Sequence, residues 1–183
     1  MIESVVEAVG FGVRIFGENR VQEAFQKFFE IKKNVLDLEL HLTGPLQTNK
    51  VKRALEIFDV FQTLDREKLA KEFCKNQKSI LNKKFFVQVN IGKEQTKSGI
   101  DPENSKEFIG YCKNDLNLNI VGLMCIPPNG QDPKPFFTHL KKIAKLSEVK
   151  LLSMGMSNDF EIAIECGADY VRVGTALFGK RVL

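Results

Sequence analysis

Ile2-Glu-Ser-Val-Val-Glu-Ala-Val9, followed by Val13-Arg-Ile-Phe16, is the stretch on which the fold turns. The first segment reads as a short helix and the second as the first strand, yet a repeat of strand–helix units should open on a strand. The phase of everything downstream therefore matters. Short β-branched or apolar runs recur at Val13–Phe16, Leu38–Leu42, Val60–Thr63, Phe85–Ile91, Ile120–Cys125, Leu151–Met154 and Tyr170–Val173, with stretches of helical period between them. Seven strands about 25 residues apart, led by a helix that lacks its strand, predict an α/β fold: a (β/α)8 TIM-type barrel without its first strand. A full barrel usually takes at least about 200 residues. An open doubly wound sheet would be expected to carry a glycine-rich turn after its first strand, and none follows Phe16.

Helical stripes support the same reading. Val21, Ala24, Phe25 and Phe28 follow i, i+3, i+4, i+7 spacing, and Val51, Ala54, Leu55 and Phe58 repeat it, as helices with one buried face do. Asp65, Asp101-Pro102 and Ser157-Asn158-Asp159 are expected to open helices. Gly92, Gly99, Pro127-Pro128-Asn129-Gly130 and Pro133 with Pro135 punctuate loops. No linker or low-complexity segment divides the chain, so residues 1–183 are expected to form a single domain.

Composition narrows the function classes. The 183 residues are 43% hydrophobic and 27% charged, and Lys plus Arg minus Asp plus Glu gives 27 − 23 = +4. That balance is globular. Lysines scattered through helical stretches such as Lys68 to Lys84 form a solvated face, not the clustered, aromatic-interleaved charge of a nucleic-acid footprint. Cys74, Cys112, Cys125 and Cys166 lie far apart in apolar patterns, as reduced core thiols do in the cytoplasm. No window reaches the roughly 18 apolar residues of a membrane span. His41 and His139 are too few and too far apart for a zinc site.

In a βα barrel the working groups lie at the carboxyl ends of the strands, often with a phosphate site in the loops after the last two. Ser153-Met154-Gly155-Met156-Ser157 leads into a helix at Asn158-Asp159-Phe160, which suits either a phosphate at a helix N-terminus or an ordinary serine cap. Val171-Arg172-Val173-Gly174-Thr175-Ala176 closes the last strand. Gly174 admits close approach of an anion and Thr175 offers a hydroxyl. Arg172 alternates with Val171 and Val173, so it should point into the barrel, where it needs a carboxylate or a ligand acceptor. Asn19, after the first strand, reads equally as a helix cap or a ligand contact, and His41 as a satisfied barrel histidine.

Six segments carry a resemblance in order: Phe16-Gly-Glu-Asn-Arg-Val-Gln-Glu23, His41 to Lys50, Gln88-Val-Asn-Ile91 with Lys97-Ser-Gly99, Gly122 to Pro128, Leu152 to Ser157 and Val171 to Gly179. Together they resemble the YggS-type pyridoxal phosphate (PLP) homeostasis proteins, whose fold is similar to the barrel domain of alanine racemase. The resemblance implies that Ser153, Ser157, Gly174 and Thr175 hold the phosphate, that Arg172 faces the pyridine nitrogen and that Asn19 lies near the ring. It also implies a Schiff-base lysine on a preceding strand. No lysine occurs before Lys27, so the expectation is an N-terminally truncated barrel.

A guanidinium only donates, which would leave the pyridine nitrogen unprotonated and the cofactor a weak electron sink. The expected function is thus non-catalytic intracellular PLP binding, with PLP-dependent apo-enzymes as possible recipients and neither nucleic acid nor membrane as partner. Three alternatives stand beside it: a racemase-like PLP enzyme on the same barrel, a phosphate-ligand barrel that does not use PLP, and a truncated barrel unable to bind PLP covalently. Racemases of this fold add a β domain, and only Gly179 to Leu183 follow Phe178.

Overall fold

A computed structural model describes residues 2–179; Met1 and residues 180–183, most of the tail weighed above, lie outside the described residues. Helix α1 (Ile2–Gly10) precedes strand β1 (Ile15–Glu18), as the opening stretch predicts. Then follow α2 (Val21–Asn34), β2 (Glu39–Leu42), α3 (Val51–Leu55), β3 (Val60–Leu64), α4 (Glu67–Cys74), α5 (Gln77–Ile80) and β4 (Lys84–Val89). The second half runs α6 (Ser105–Gly110), β5 (Ile120–Cys125), α7 (Lys134–Leu146), β6 (Leu151–Met156), α8 (Phe160–Glu165), β7 (Tyr170–Arg172) and α9 (Thr175–Phe178). All seven predicted strands form, β1 lying two residues later than expected.

The strands pair in parallel and in chain order from β1 to β7, and the sheet curls into a nearly closed TIM-type barrel. Strands five places apart in a flat sheet would stand about 24 Å apart. The His41 ring on β2 and the Tyr170 ring on β7 have centroids only 5.3 Å apart. Among the described residues β1 and β7 pair on one side only, so the seam falls between these two strands.

Alternation along each strand divides two cores. Leu40, Leu42, Phe61, Phe85, Val87, Leu123, Leu152 and Met154 face the helices and join one large buried cluster. Within it Phe61 stacks on Phe85 at 5.4 Å and meets Phe73 edge-on at 4.8 Å, and such pairs add about 0.5–1.5 kcal/mol each to simple area burial. Val60, Phe86 and Met124, with Leu151 and Tyr170 against them, fill the barrel interior as a second, smaller cluster. That cluster leaves room for polar side chains on the same inward parity.

Several local expectations are corrected. Arg66 flanks α4, and Asp65 instead holds the Arg66 guanidinium at 2.5 Å. The helical stretch from Lys68 breaks into α4 and α5 around Asn76. Asp101 does cap, its carboxylate accepting from the Glu103 N–H at 2.8 Å. The four cysteines are free thiols, and burial pushes Cys112 and Cys125 up to about 12, which leaves them unreactive. Among the described residues no helix is long and apolar enough to cross a membrane, and no cluster of side chains could hold a metal ion.

Candidate functional site

Arg172 ends β7 on the inward parity, while Val171 packs into the outer core, as alternation predicts. The expectation of a carboxylate partner is corrected. Arg172 donates from Nη1 to Ser153 Oγ at 2.8 Å and from Nη2 to the Cys125 carbonyl at 2.9 Å, both neutral. Burial pulls its affinity for protons down, opposed by the fields of Cys125 and Asp159. A cation held by neutral acceptors in a barrel mouth is poised for a further acceptor.

The loops after β6 and β7 leave the sheet side by side, because Met156 pairs with Arg172. Ser157 is half-buried in the first loop; Gly174 and Thr175 are exposed in the second, at the start of α9. Ser157 is not the cap of α8: Asp159 flanks that helix, and its carboxylate accepts from the Met156 N–H at 2.6 Å. Gly155 has φ +93°, and a Cβ there would lie 2.5 Å from the Ala163 Cβ. The glycine thus lets α8 close onto β6.

Ser153 stands apart from this rim. It is fully buried inside the barrel, where its hydroxyl donates to Gln62 Oε1 at 2.6 Å and accepts from Arg172. Ser157 follows Met156, which pairs with Arg172, so the loops carrying Ser157, Gly174 and Thr175 leave neighbouring strand ends, whereas Ser153 sits within the barrel. Asn19 lies exposed above β1. It caps no helix; its Oδ1 accepts from the Thr43 hydroxyl at 3.0 Å.

His41 is a satisfied barrel histidine with both nitrogens engaged, Nδ1 with Gln62 Nε2 at 2.7 Å and Nε2 with Glu39 Oε1 at 2.8 Å. Burial drives its pKa below 6.5, against the opposing pull of Glu39. The other Glu39 oxygen receives Lys84 Nζ at 2.6 Å. Burial acts to raise the Glu39 pKa, but the bonds from Lys84 and His41 outweigh it and hold it low. Sequence reasoning missed Gln62, Glu39 and Lys84. The available signal was a polar side chain at inward parity, Gln62 two residues after Val60 and Lys84 two before Phe86.

Comparison with known proteins agrees with this geometry. Residues 1–182 match the family model described as alanine racemase, N-terminal domain. A pyridoxal phosphate homeostasis protein of Aquifex aeolicus is 43% identical over 189 residues, covering 98% of this chain and 82% of the relative. One from Haemophilus influenzae is 37% identical over 193 residues, covering 98% and 81%. PipY of Synechococcus elongatus, solved with PLP bound, is 33% identical with a TM-score of 0.85, covering 97% of this chain and 87% of its own. An alanine racemase of Clostridium difficile, 15% identical with a TM-score of 0.75 over 49% of its length, shares the barrel fold. With its inward arginine and paired rim loops, the chain belongs to the alanine racemase N-terminal domain family, among the pyridoxal phosphate homeostasis proteins.

Proposed function

We propose that this chain binds PLP in the mouth of the barrel and holds the cofactor for transfer without turning over a substrate. The observation that carries the reading is Arg172. A guanidinium has five N–H groups and no acceptor, and two of them are taken by Ser153 and Cys125. Donors remain for an aromatic nitrogen. The chemistry of this donor set fits the pyridine of PLP.

Ser157, Gly174 and Thr175 offer hydroxyls and first-turn N–H groups to the phosphate. Asn19 lies on the ring side. Ser153, inside the barrel, orients Arg172 through the hydrogen bond between them. Bound PLP would supply an aldehyde carbonyl and a pyridine ring able to take up electrons. Arg172 donates to the ring nitrogen without protonating it, which weakens that uptake and favours holding over transamination or decarboxylation. The homeostasis proteins that this chain resembles have names in keeping with such a role, and PLP-dependent apo-enzymes inside the cell are the fitting recipients.

Titration with PLP followed by absorbance tests the reading. It predicts saturable binding, and no amino-acid turnover by the loaded protein. Binding that Arg172→Leu leaves unchanged in a folded variant, or steady turnover of an amino acid, would contradict it.

A further inference from the structure

The polar groups inside the barrel form one continuous hydrogen-bond chain from mouth to base, and chemistry fixes its direction. Arg172 can only donate, so Ser153 Oγ accepts from it at 2.8 Å. The serine proton is then free to go to Gln62 Oε1, 2.6 Å away. That places the Gln62 amide nitrogen against His41, where it donates to Nδ1 at 2.7 Å. A neutral His41 whose Nδ1 accepts must carry its proton on Nε2, and Nε2 faces Glu39 Oε1 at 2.8 Å. Glu39 can only accept, and Lys84 anchors its second oxygen. Each link joins one donor to one acceptor, and no link can be reversed alone.

We propose that Gln62 and His41 are positioning residues for Arg172, setting the orientation of its guanidinium and reporting what it binds through this one-way chain. Protonation of His41 at Nδ1 would put two donors face to face. The Gln62 amide would have to flip, turning its NH2 onto Ser153, whose oxygen already receives Arg172. The serine proton would lose its acceptor and the hold on Arg172 would loosen.

The charged and titratable groups around His41 are Glu39 on its own strand, Lys84 on β4, Asp59 before β3 and Tyr170 on β7. Glu39 and Asp59 favour the proton, Lys84 opposes it, and desolvation is the largest influence and keeps the ring neutral. The assignment of PLP as the acceptor beyond Arg172 rests on the function proposed above; the chain itself does not.

Long-range proton–nitrogen NMR of the two histidines tests the proposal, with exposed His139 as internal reference. The wild-type protein at pH 7.5 should show His41 as the Nε2–H tautomer. Ser153→Ala should leave the protein folded and move His41 toward the doubly protonated form, because Gln62 is then free to flip and present Oε1 to Nδ1 while Glu39 still accepts from Nε2. Gln62→Glu should place an acceptor at Nδ1 and leave His41 doubly protonated at neutral pH.

Added PLP should shift the His41 nitrogens in the wild type but not in Ser153→Ala, whose PLP affinity should fall about fivefold. An Nδ1–H tautomer in the wild type, or a His41 spectrum unchanged by Ser153→Ala, would overturn the chain. Saturable PLP binding with no response at His41 would overturn its coupling to the ligand. Failure of PLP to bind would defeat the functional reading alone, since the response of His41 to Ser153→Ala is read without ligand. If Gln62→Glu does not fold, Ser153→Ala decides.

Discussion

Thr175 and Ser153 are both small hydroxyl residues near Arg172 in sequence or space, but the structure places them differently. Thr175 is exposed on the rim at the start of α9 and Ser153 is sealed within the barrel. Thr175→Ala should weaken PLP by about 1–2 kcal/mol, the scale of a hydrogen bond to a charged group, and leave pyridoxal, which lacks the phosphate, unaffected. Ser153→Ala should weaken both. Competition titrations with the two compounds read the difference, and equal losses for pyridoxal in both variants would refute the division. The depressed pKa of His41 makes a separate prediction. Its unfolded value near 6.5 lies above its folded one, so between the two the unfolded chain binds more protons and stability rises with pH. Urea midpoints should therefore fall as pH drops below about 6.5 and level off above it. Glu39, held below 4.5, contributes stability that is lost only at more acid pH. His41→Gln keeps an acceptor and a donor without titrating and should flatten the fall between pH 5 and 6.5; an unaltered slope would place its origin elsewhere.

At the scale of elements, the junction of β6 and α8 depends on Gly155 twice over. Its φ of +93° is unfavourable for any side chain, and a Cβ would press on Ala163 and approach the Phe160 Cα to 3.1 Å. Gly155→Ala should cost about 2–4 kcal/mol from backbone strain and overpacking together, measured by urea denaturation; a loss below about 0.5 kcal/mol, the usual reach of an inconsequential surface change, would show that α8 does not pack this closely. The sequence marked this glycine but suggested a phosphate as the reason, because helix approach is invisible without the partner residue. Strand parity was legible: Arg172 between two valines points inward as alternation requires. The partners of Arg172 were not, since Ser153 and the Cys125 carbonyl lie 19 and 47 residues away and only barrel closure brings them together. For the same reason Gln62, 91 residues from Ser153, gave no local signal beyond its polarity. The cap at Asp101 was readable because it is settled within three residues.

For the molecule as a whole, the open seam leaves the edges of β1 and β7 unpaired among the described residues. Apolar side chains crowd the turn before β1 and β1 itself, with Phe11 82% and Ile15 51% exposed, and Leu177 on α9 is 69% exposed. Such edges and patches invite association. This 183-residue chain should bind an environment-sensitive hydrophobic dye while folded and self-associate as concentration rises; a monodisperse protein with low dye binding and a sharp melt would contradict that. The central claim, however, is that Arg172 receives the cofactor ring at the mouth of the barrel. A crystal structure of the protein with PLP tests it most directly. The account predicts the pyridine nitrogen about 3 Å from the Arg172 guanidinium, with the phosphate against Ser157, Gly174 and Thr175. PLP bound with its ring nitrogen turned away from Arg172, or seated outside the barrel mouth, would contradict it.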